Sequence, residues 1–139
     1  MKHWLAAFVL FSGTMASQEG KFLSLTARVD LPNVRGRIDH LSADLQGGRL
    51  FVAALGNHSI EVLDVHSAKL IRSMTGLEES QGIYYDVNTN RLIAACRQDG
   101  AVKIFDGSSF QLLATAKFSG DADNLRYDSR RRRVIVGFG

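Results

Sequence analysis

From residue 41 onward, apolar and polar residues alternate in short runs, each closed by a turn signal. Alternation with a period of two marks a half-buried strand rather than a helix. The clearest case is Ala101-Val102-Lys103-Ile104-Phe105-Asp106, which follows an Asp99-Gly100 hairpin signal. The pattern predicts strands over residues 41–45, 49–55, 59–64 and 69–74, then 81–86, 91–96, 101–106 and 110–118. A further strand is expected over 124–128, and another begins at Arg133. Gly47-Gly48, Gly56-Asn57 and Val87-Asn88-Thr89-Asn90 supply turns between them. Residues 22–31, in which Leu25, Ala27 and Val29 alternate, predict one more strand ahead of this series.

The series repeats every 42 residues without insertion. Asp44, Asp86 and Asp128 are one period apart, as are Arg49, Arg91 and Arg133. The apolar sets Leu41/Ile83/Leu125, Leu50/Leu92/Val134 and Phe51/Ile93/Ile135 keep the same step. A period in the low forties carrying four short strands is the signature of a propeller blade. The expected fold is therefore all-β: a β-propeller fragment of about two and a half four-stranded antiparallel blades, plus an N-terminal closing strand. The blades are expected over 41–80, 81–122 and 123–139, the last incomplete because the sequence stops inside a strand. Within each unit the recurring Asp would accept from turn N–H groups, and the recurring Arg would pair with it across the hairpin as an exposed ion pair.

These units resemble the YVTN-type β-propeller repeat family. The resemblance rests on Arg49-Leu50-Phe51-Val52-Ala53 with Ser59-Ile60-Glu61-Val62-Leu63-Asp64, and on Arg91-Leu92-Ile93-Ala94-Ala95 with Ala101-Val102-Lys103-Ile104-Phe105-Asp106. A third copy begins at Arg133-Val134-Ile135-Val136-Gly137. It implies an exported propeller of about seven blades, of which this chain would be the N-terminal third. It also implies that the first strand of each blade lines a central channel, and that ligands meet the face where those strands begin. Activity is not implied, because this scaffold carries diverse roles.

Composition changes the picture in three places. Residues 1–16 read as a secretory signal peptide: Lys2 and His3, an apolar run over 4–11, then the small residues Ser12, Gly13, Thr14 and Ala16. The chain is thus expected to be secreted or periplasmic, with an N-terminal strand and linker over 17–40 and no membrane insertion after cleavage. Removing the signal takes one Lys and no acid, so the formal charge falls from +3 to +2 and gives little electrostatic steering. Cys96 is the one cysteine, which excludes an intrachain disulfide; it reads as a small buried apolar side chain rather than a catalytic thiol. Arg130, Arg131, Arg132 and Arg133 invite an anionic-lipid or nucleic-acid reading, but their register places them in a turn, read as a solvated one, and no nucleic-acid partner is expected.

Candidate chemistry lies where the repeat is broken. At the start of each first strand stand Asp39-His40, Gln81-Gly82 and Asp123-Asn124, polar and different in every unit. Asp39, His40, Gln81, Asp123 and Asn124 are therefore the candidate binding residues. Glu78, Glu79 and Asp121 lie just upstream, and Asn57, His58, Gln98 and Asp99 form the neighbouring turns. No cofactor or metal site is assigned; Asp39, Asp123 and Asn124 are oxygen donors of the kind Ca²⁺ takes, too few by themselves. Asp39 and His40 are not expected to act as a base and its orienter, because adjacent strand residues point to opposite faces. No nucleophile motif, phosphate loop, zinc spacing or haem-attachment pair is present. The expected role is a scaffold that binds a small molecule or protein through the channel face, more a binding protein than an enzyme. The alternatives are a metal-dependent lactonase or hydrolase, and the propeller of a periplasmic redox complex.

Overall fold

The structure, a computed structural model, describes residues 23–139. The expected signal peptide therefore lies outside the described residues. Among the described residues there are ten strands: β1 (Leu41–Asp44), β2 (Arg49–Ala54), β3 (Ser59–Asp64), β4 (Lys69–Thr75), β5 (Ser80–Asp86), β6 (Arg91–Cys96), β7 (Ala101–Asp106), β8 (Leu112–Lys117), β9 (Ala122–Asp128) and β10 (Arg133–Phe138). They form three antiparallel sheets in the orders β1-β2-β3-β4, β5-β6-β7-β8 and β9-β10. Each strand pairs with its sequence neighbour, so the sheets are two four-stranded meanders and a two-stranded third, the architecture of a propeller arc. A three-residue 3₁₀ turn, Leu55–Asn57, joins β2 to β3.

Alternation along the strands decides which face meets which blade. Leu92, Ala94 and Cys96 on β6 turn toward blade 1, where they pack with Phe51, Ile60, Val62, Met74 and Leu77. Ile93 and Ala95, on the opposite face of the same strand, turn toward blade 3 and pack with Ala122 and Leu125. A strand buried on both faces must be apolar along its whole length, which is why β6 reads Leu-Ile-Ala-Ala-Cys without a polar break. Cys96 is fully buried in the first of these layers, and burial pushes its thiol up to about 11. It is a packing residue.

Backbone geometry carries the repeat where side chains do not. Gly48, Asn90 and Arg132 all take positive φ (63°, 50° and 52°), and so do Ala68 and Phe110 (52° and 60°). Val65 N–H donates to Gly48 O, and one period later Gly107 N–H donates to Asn90 O. The left-handed turn is thus a property of the unit, filled by whichever residue the unit has there.

Two expectations are corrected. The segment 23–31 forms no strand: Leu23 and Leu25 are exposed, and the segment finds no sheet edge among the described residues. The Asp/Arg pair is not equivalent from unit to unit. In unit 1 it is buried, with Asp44 only 4% exposed and Arg49 donating through Nε and Nη2 to its Oδ2 at 2.9 and 2.7 Å. In unit 2, Asp86 accepts instead from Asn88 and from the Thr89 hydroxyl. In unit 3, Asp128 sits 3.2 Å from Arg131 and 3.5 Å from Arg133 at the surface. The cause lies in the next blade. Arg49 also donates to Gly107 O at 2.6 Å and to the Tyr85 hydroxyl at 3.1 Å, and its guanidinium stacks over Phe51 and Tyr85.

Candidate functional site

The candidate residues occupy one recurring backbone feature. In unit 2, Ser80 pairs with Cys96 and Ile83 with Ala94, which leaves Gln81 and Gly82 opposite Ala95 alone. In unit 3, Ala122 pairs with Phe138 and Leu125 with Val136, so Asp123 and Asn124 oppose Gly137. In unit 1, Asp39 N–H donates to Ala53 O, and Ala53 N–H donates to His40 O, each at 2.9 Å. Two residues against one is a β-bulge, a device that re-aims side chains at strand ends. Every first strand therefore begins with a bulge, and a small residue faces it each time: Ala53, Ala95, Gly137.

The bulges lie close to one another. A Cβ on Gly82 would stand 2.1 Å from the carbonyl oxygen of Asp123 and 3.2 Å from the Ala95 methyl. Glycine at 82 is thus set by the approach of the next blade, not by a ligand. On the other side, Tyr85 N–H donates to the Ser42 hydroxyl at 2.9 Å, which ties β5 to β1.

The five residues differ in how far the protein itself satisfies them. Asp39 pairs with Arg37, a residue the sequence reading passed over. His40 Nδ1 stands 3.0 Å from Asp39 Oδ1 but is out of line for a hydrogen bond, and so is buried without a partner. Their proximity corrects the expectation that they point apart: they precede β1 and lie in the bulge, where strand alternation does not apply. Gln81 Oε1 and Asp123 Oδ1 are likewise buried without a partner. Asn124 Oδ1 accepts from Arg126. Each of the three units thus presents one unpartnered polar atom from its bulge, and Ser80 Oγ and Asp121 Oδ1 add two more nearby. Buried polar atoms without partners are uncommon and call for an explanation such as water, an ion or a ligand. An open cleft of about 340 Å³ lies beside Asp121, Asp123 and Asn124.

The neighbouring turns are engaged in structure. His58 Nδ1 accepts from Glu79 N–H at 3.2 Å, and its ring lies 4.0 Å from the Glu78 carboxylate. Arg97 joins Glu79 at 3.6 Å to Asp121 at 3.1 Å, spanning the links into blades 2 and 3. Sequence reasoning missed Arg97 as a single residue. Its equivalents are Leu55 and Gly139, so it does break the repeat. Asp99 holds Lys117 at 3.1 Å and Lys103 at 3.7 Å; burial opposes its ionisation, but these lysines and the Ala101 N–H outweigh burial and lower its pKa. Gln98 stands exposed at the tip of its turn. Among the described residues no three His, Cys, Asp or Glu side chains converge as a metal ion would need. Asp39 and Asn124, two of the three oxygen donors considered for Ca²⁺, are engaged by Arg37 and Arg126.

Solved structures resemble this arrangement. Hydrazine synthase from Kuenenia stuttgartiensis superposes with a TM-score of 0.61 at 15% identity, covering 69% of this chain and 28% of its own. The β-propeller domain of Cps50 (Swd1) from Myceliophteria thermophila superposes with a TM-score of 0.60 at 11% identity, covering 71% of this chain and 32% of its own. Likeness at such identities establishes the β-propeller fold and nothing finer. The chain spans about a third or less of either structure. No protein-family model matches the sequence, and no curated protein matches it.

Proposed function

We propose that this chain is part of an exported β-propeller of the YVTN type, and that it binds a small molecule or a protein at the channel mouth. Asp39, His40, Gln81, Asp123 and Asn124 are the contact residues in this reading. One observation carries it: three successive bulges each hold a buried polar atom that no protein group satisfies, in His40, Gln81 and Asp123. Structural loops would leave such atoms to solvent or to one another. Within the bulges Asp39 and Asn124 are engaged by Arg37 and Arg126, which leaves His40, Gln81 and Asp123 as the unsatisfied set; Glu61 Oε2, buried in β3, is also without a partner, but its Oε1 accepts from Ser59 and Ser73. The arrangement suits recognition: the residues stand on backbone held by the bulges, and the cleft of unit 3 opens beside Asp123, so little ordering is needed on binding. No nucleophile–base pair is placed here, so binding rather than turnover is the role proposed. Export rests on the sequence of residues 1–16.

The test is an amide-resolved NMR titration of the ¹⁵N-labelled chain with Ca²⁺ alone, and separately with small amine- and hydroxyl-bearing probes. Shifts clustered at residues 39–40, 81–82 and 121–124, and abolished by Gln81→Ala together with Asp123→Ala, are expected. Shifts centred elsewhere, or unchanged in that double variant, would sink the reading.

A further inference from the structure

The rim opposite the channel mouth carries a second feature, which the binding role does not use. In an antiparallel meander the β1–β2 and β3–β4 turns lie at one end of the sheet, and the Val65 N–H to Gly48 O bond at 2.9 Å joins them. The corresponding turns of blades 2 and 3 share that rim. In register, the turn segments are Gln46-Gly47-Gly48, Asn88-Thr89-Asn90 and Arg130-Arg131-Arg132. The first two are ordinary turn compositions. The third places three arginines there, with Arg133 next, and it does so against local preference. Arg132 holds a φ of +52°, where its equivalents are Gly and Asn, residues suited to that conformation.

The charge of this turn is not neutralised locally. Asp128 is its one acid; its Oδ1 accepts from the N–H groups of Arg130 and Arg131, and its Oδ2 meets Arg131 and Arg133. Arg130 and Arg132 make no ion-pair contact with a carboxylate among the described residues, although the charge of Arg132 reaches Asp86 of the preceding blade. Burial opposes ionisation of that carboxyl, but the hydrogen bonds from Thr89 and Asn88, and after them Arg132, outweigh burial and lower its pKa. Arg131 and Arg133 stand 67% and 59% exposed even so. The aspartates elsewhere on the rim turn inward onto their own turns: Asp64 onto Ser67, Asp86 onto Thr89, Asp106 onto Ser109. The same rim exposes aliphatic tips on blades 1 and 2. Leu45 is 90% exposed, and Val65 and Val87 stand out from the adjoining turns. Leu45 and Val87 occupy the equivalent first position of their turns, one blade apart.

We infer that this rim is a peripheral docking surface for an anionic lipid bilayer, with Arg130, Arg131 and Arg132 against the headgroup phosphates and Leu45 and Val87 in the interface. Guanidinium groups match phosphate by paired N–H donors, and they gain from the negative surface potential. The aliphatic tips select a bilayer over a soluble polyanion, which offers them nothing apolar.

The experiment is co-sedimentation of the full chain with vesicles of phosphatidylglycerol in phosphatidylcholine, against vesicles of phosphatidylcholine alone. Preference for the anionic vesicles is expected, weakening as salt rises. Arg130→Gln, Arg131→Gln and Arg132→Gly together should lower partitioning roughly 100-fold, about fivefold per arginine. Leu45→Ser should lower it roughly tenfold. An unchanged thermal melt of each variant shows that the fold is retained, and Arg132→Gly eases the left-handed position rather than straining it. Lipid binding through the apolar run over 4–11 would be indifferent to these arginines. Equal binding to neutral vesicles, binding that survives the triple substitution, or no vesicle binding at all overturns the proposal. So does retention on a sulfated polysaccharide that is unaffected by Leu45→Ser, in the absence of vesicle binding.

Discussion

The seam between blades 1 and 2 and the seam between blades 2 and 3 are built from equivalent positions, yet they are held together by different means. At the first, Phe51 is fully buried and lies 5.1 Å from Tyr85, and Arg49 lies over both rings and reaches Asp44 and Gly107. At the second, the equivalent of Phe51 is Ile93, and the equivalent of Arg49 is the exposed Arg91. Contact there comes from smaller buried residues, Ala95, Val102 and Ala122, and from partly buried aromatics such as Tyr84, stacked on Tyr127 at 5.1 Å. Register places a residue at a seam. The residues that meet it from the next blade decide whether it is an anchor or a surface group.

Substitutions at paired positions break this comparison most sharply. Phe51→Ala should cost about 4 kcal/mol, measured by equilibrium denaturation, because it empties a fully enclosed aromatic site. Ile93→Ala should cost less, about 2 kcal/mol, since its site is smaller and partly open. Gly82→Ala tests how tightly the second seam closes: a methyl 2.1 Å from the Asp123 carbonyl oxygen demands a backbone shift, for a loss of about 3 kcal/mol. If Gly82→Ala proves neutral, the bulges of blades 2 and 3 are not packed as described.

Smaller effects sharpen the contrast. Arg49→Gln should cost about 2 kcal/mol, because it leaves the buried Asp44 without its charged donor. Arg133→Gln, at the same place in unit 3, should change stability by about 0.5 kcal/mol or less, since that pair is open to solvent. The Arg49 substitution should also alter the pH dependence of stability. Burial tends to raise the Asp44 pKa, but the Gly47 N–H and Arg49 outweigh it, and the carboxyl is held below its usual range. A group depressed in the folded state adds stability above its unfolded pKa, near 3.9, and that stability drains away as pH falls through the lower folded value. The acid limb of a pH–stability profile below about pH 4 should therefore be shallower in Arg49→Gln than in the unsubstituted chain. Smallest of all, Ala68→Gly should stabilise by up to about 0.5 kcal/mol, by removing a Cβ from a left-handed residue.

Much of this was legible in the sequence, for identifiable reasons. The strands β3, β6 and β7 fall where the short apolar-rich runs and the turn signals that flank them put them, because their residues are buried and must be largely apolar. The strand expected over 110–118 begins later, at Leu112, because Phe110 takes the turn's positive φ and packs back toward Phe51. The depth of the Asp44–Arg49 pair was not legible, since its determinants, Tyr85 and Gly107, lie 36 and 58 residues from Arg49. The candidate residues were found because they break the repeat. The bulge that groups them was not found, because it lies at the start of each first strand, where there is no preceding alternation for the extra residue to throw out of phase. The recurrence of the small residues Ala53, Ala95 and Gly137, one period apart, is the available signal, since each faces a bulge. Arg37 and Arg97 carry no motif, and only the partners brought to them by the fold make them notable.

The central claim is that each unit opens its first strand with two residues set against one small residue. Backbone NOEs in the labelled chain test it directly. The expected result is Ile83–Ala94 and Leu125–Val136 cross-strand contacts, with Ala95 and Gly137 each close to both residues of the facing pair. A ladder running unbroken through Gln81-Gly82 and Asp123-Asn124 would contradict it.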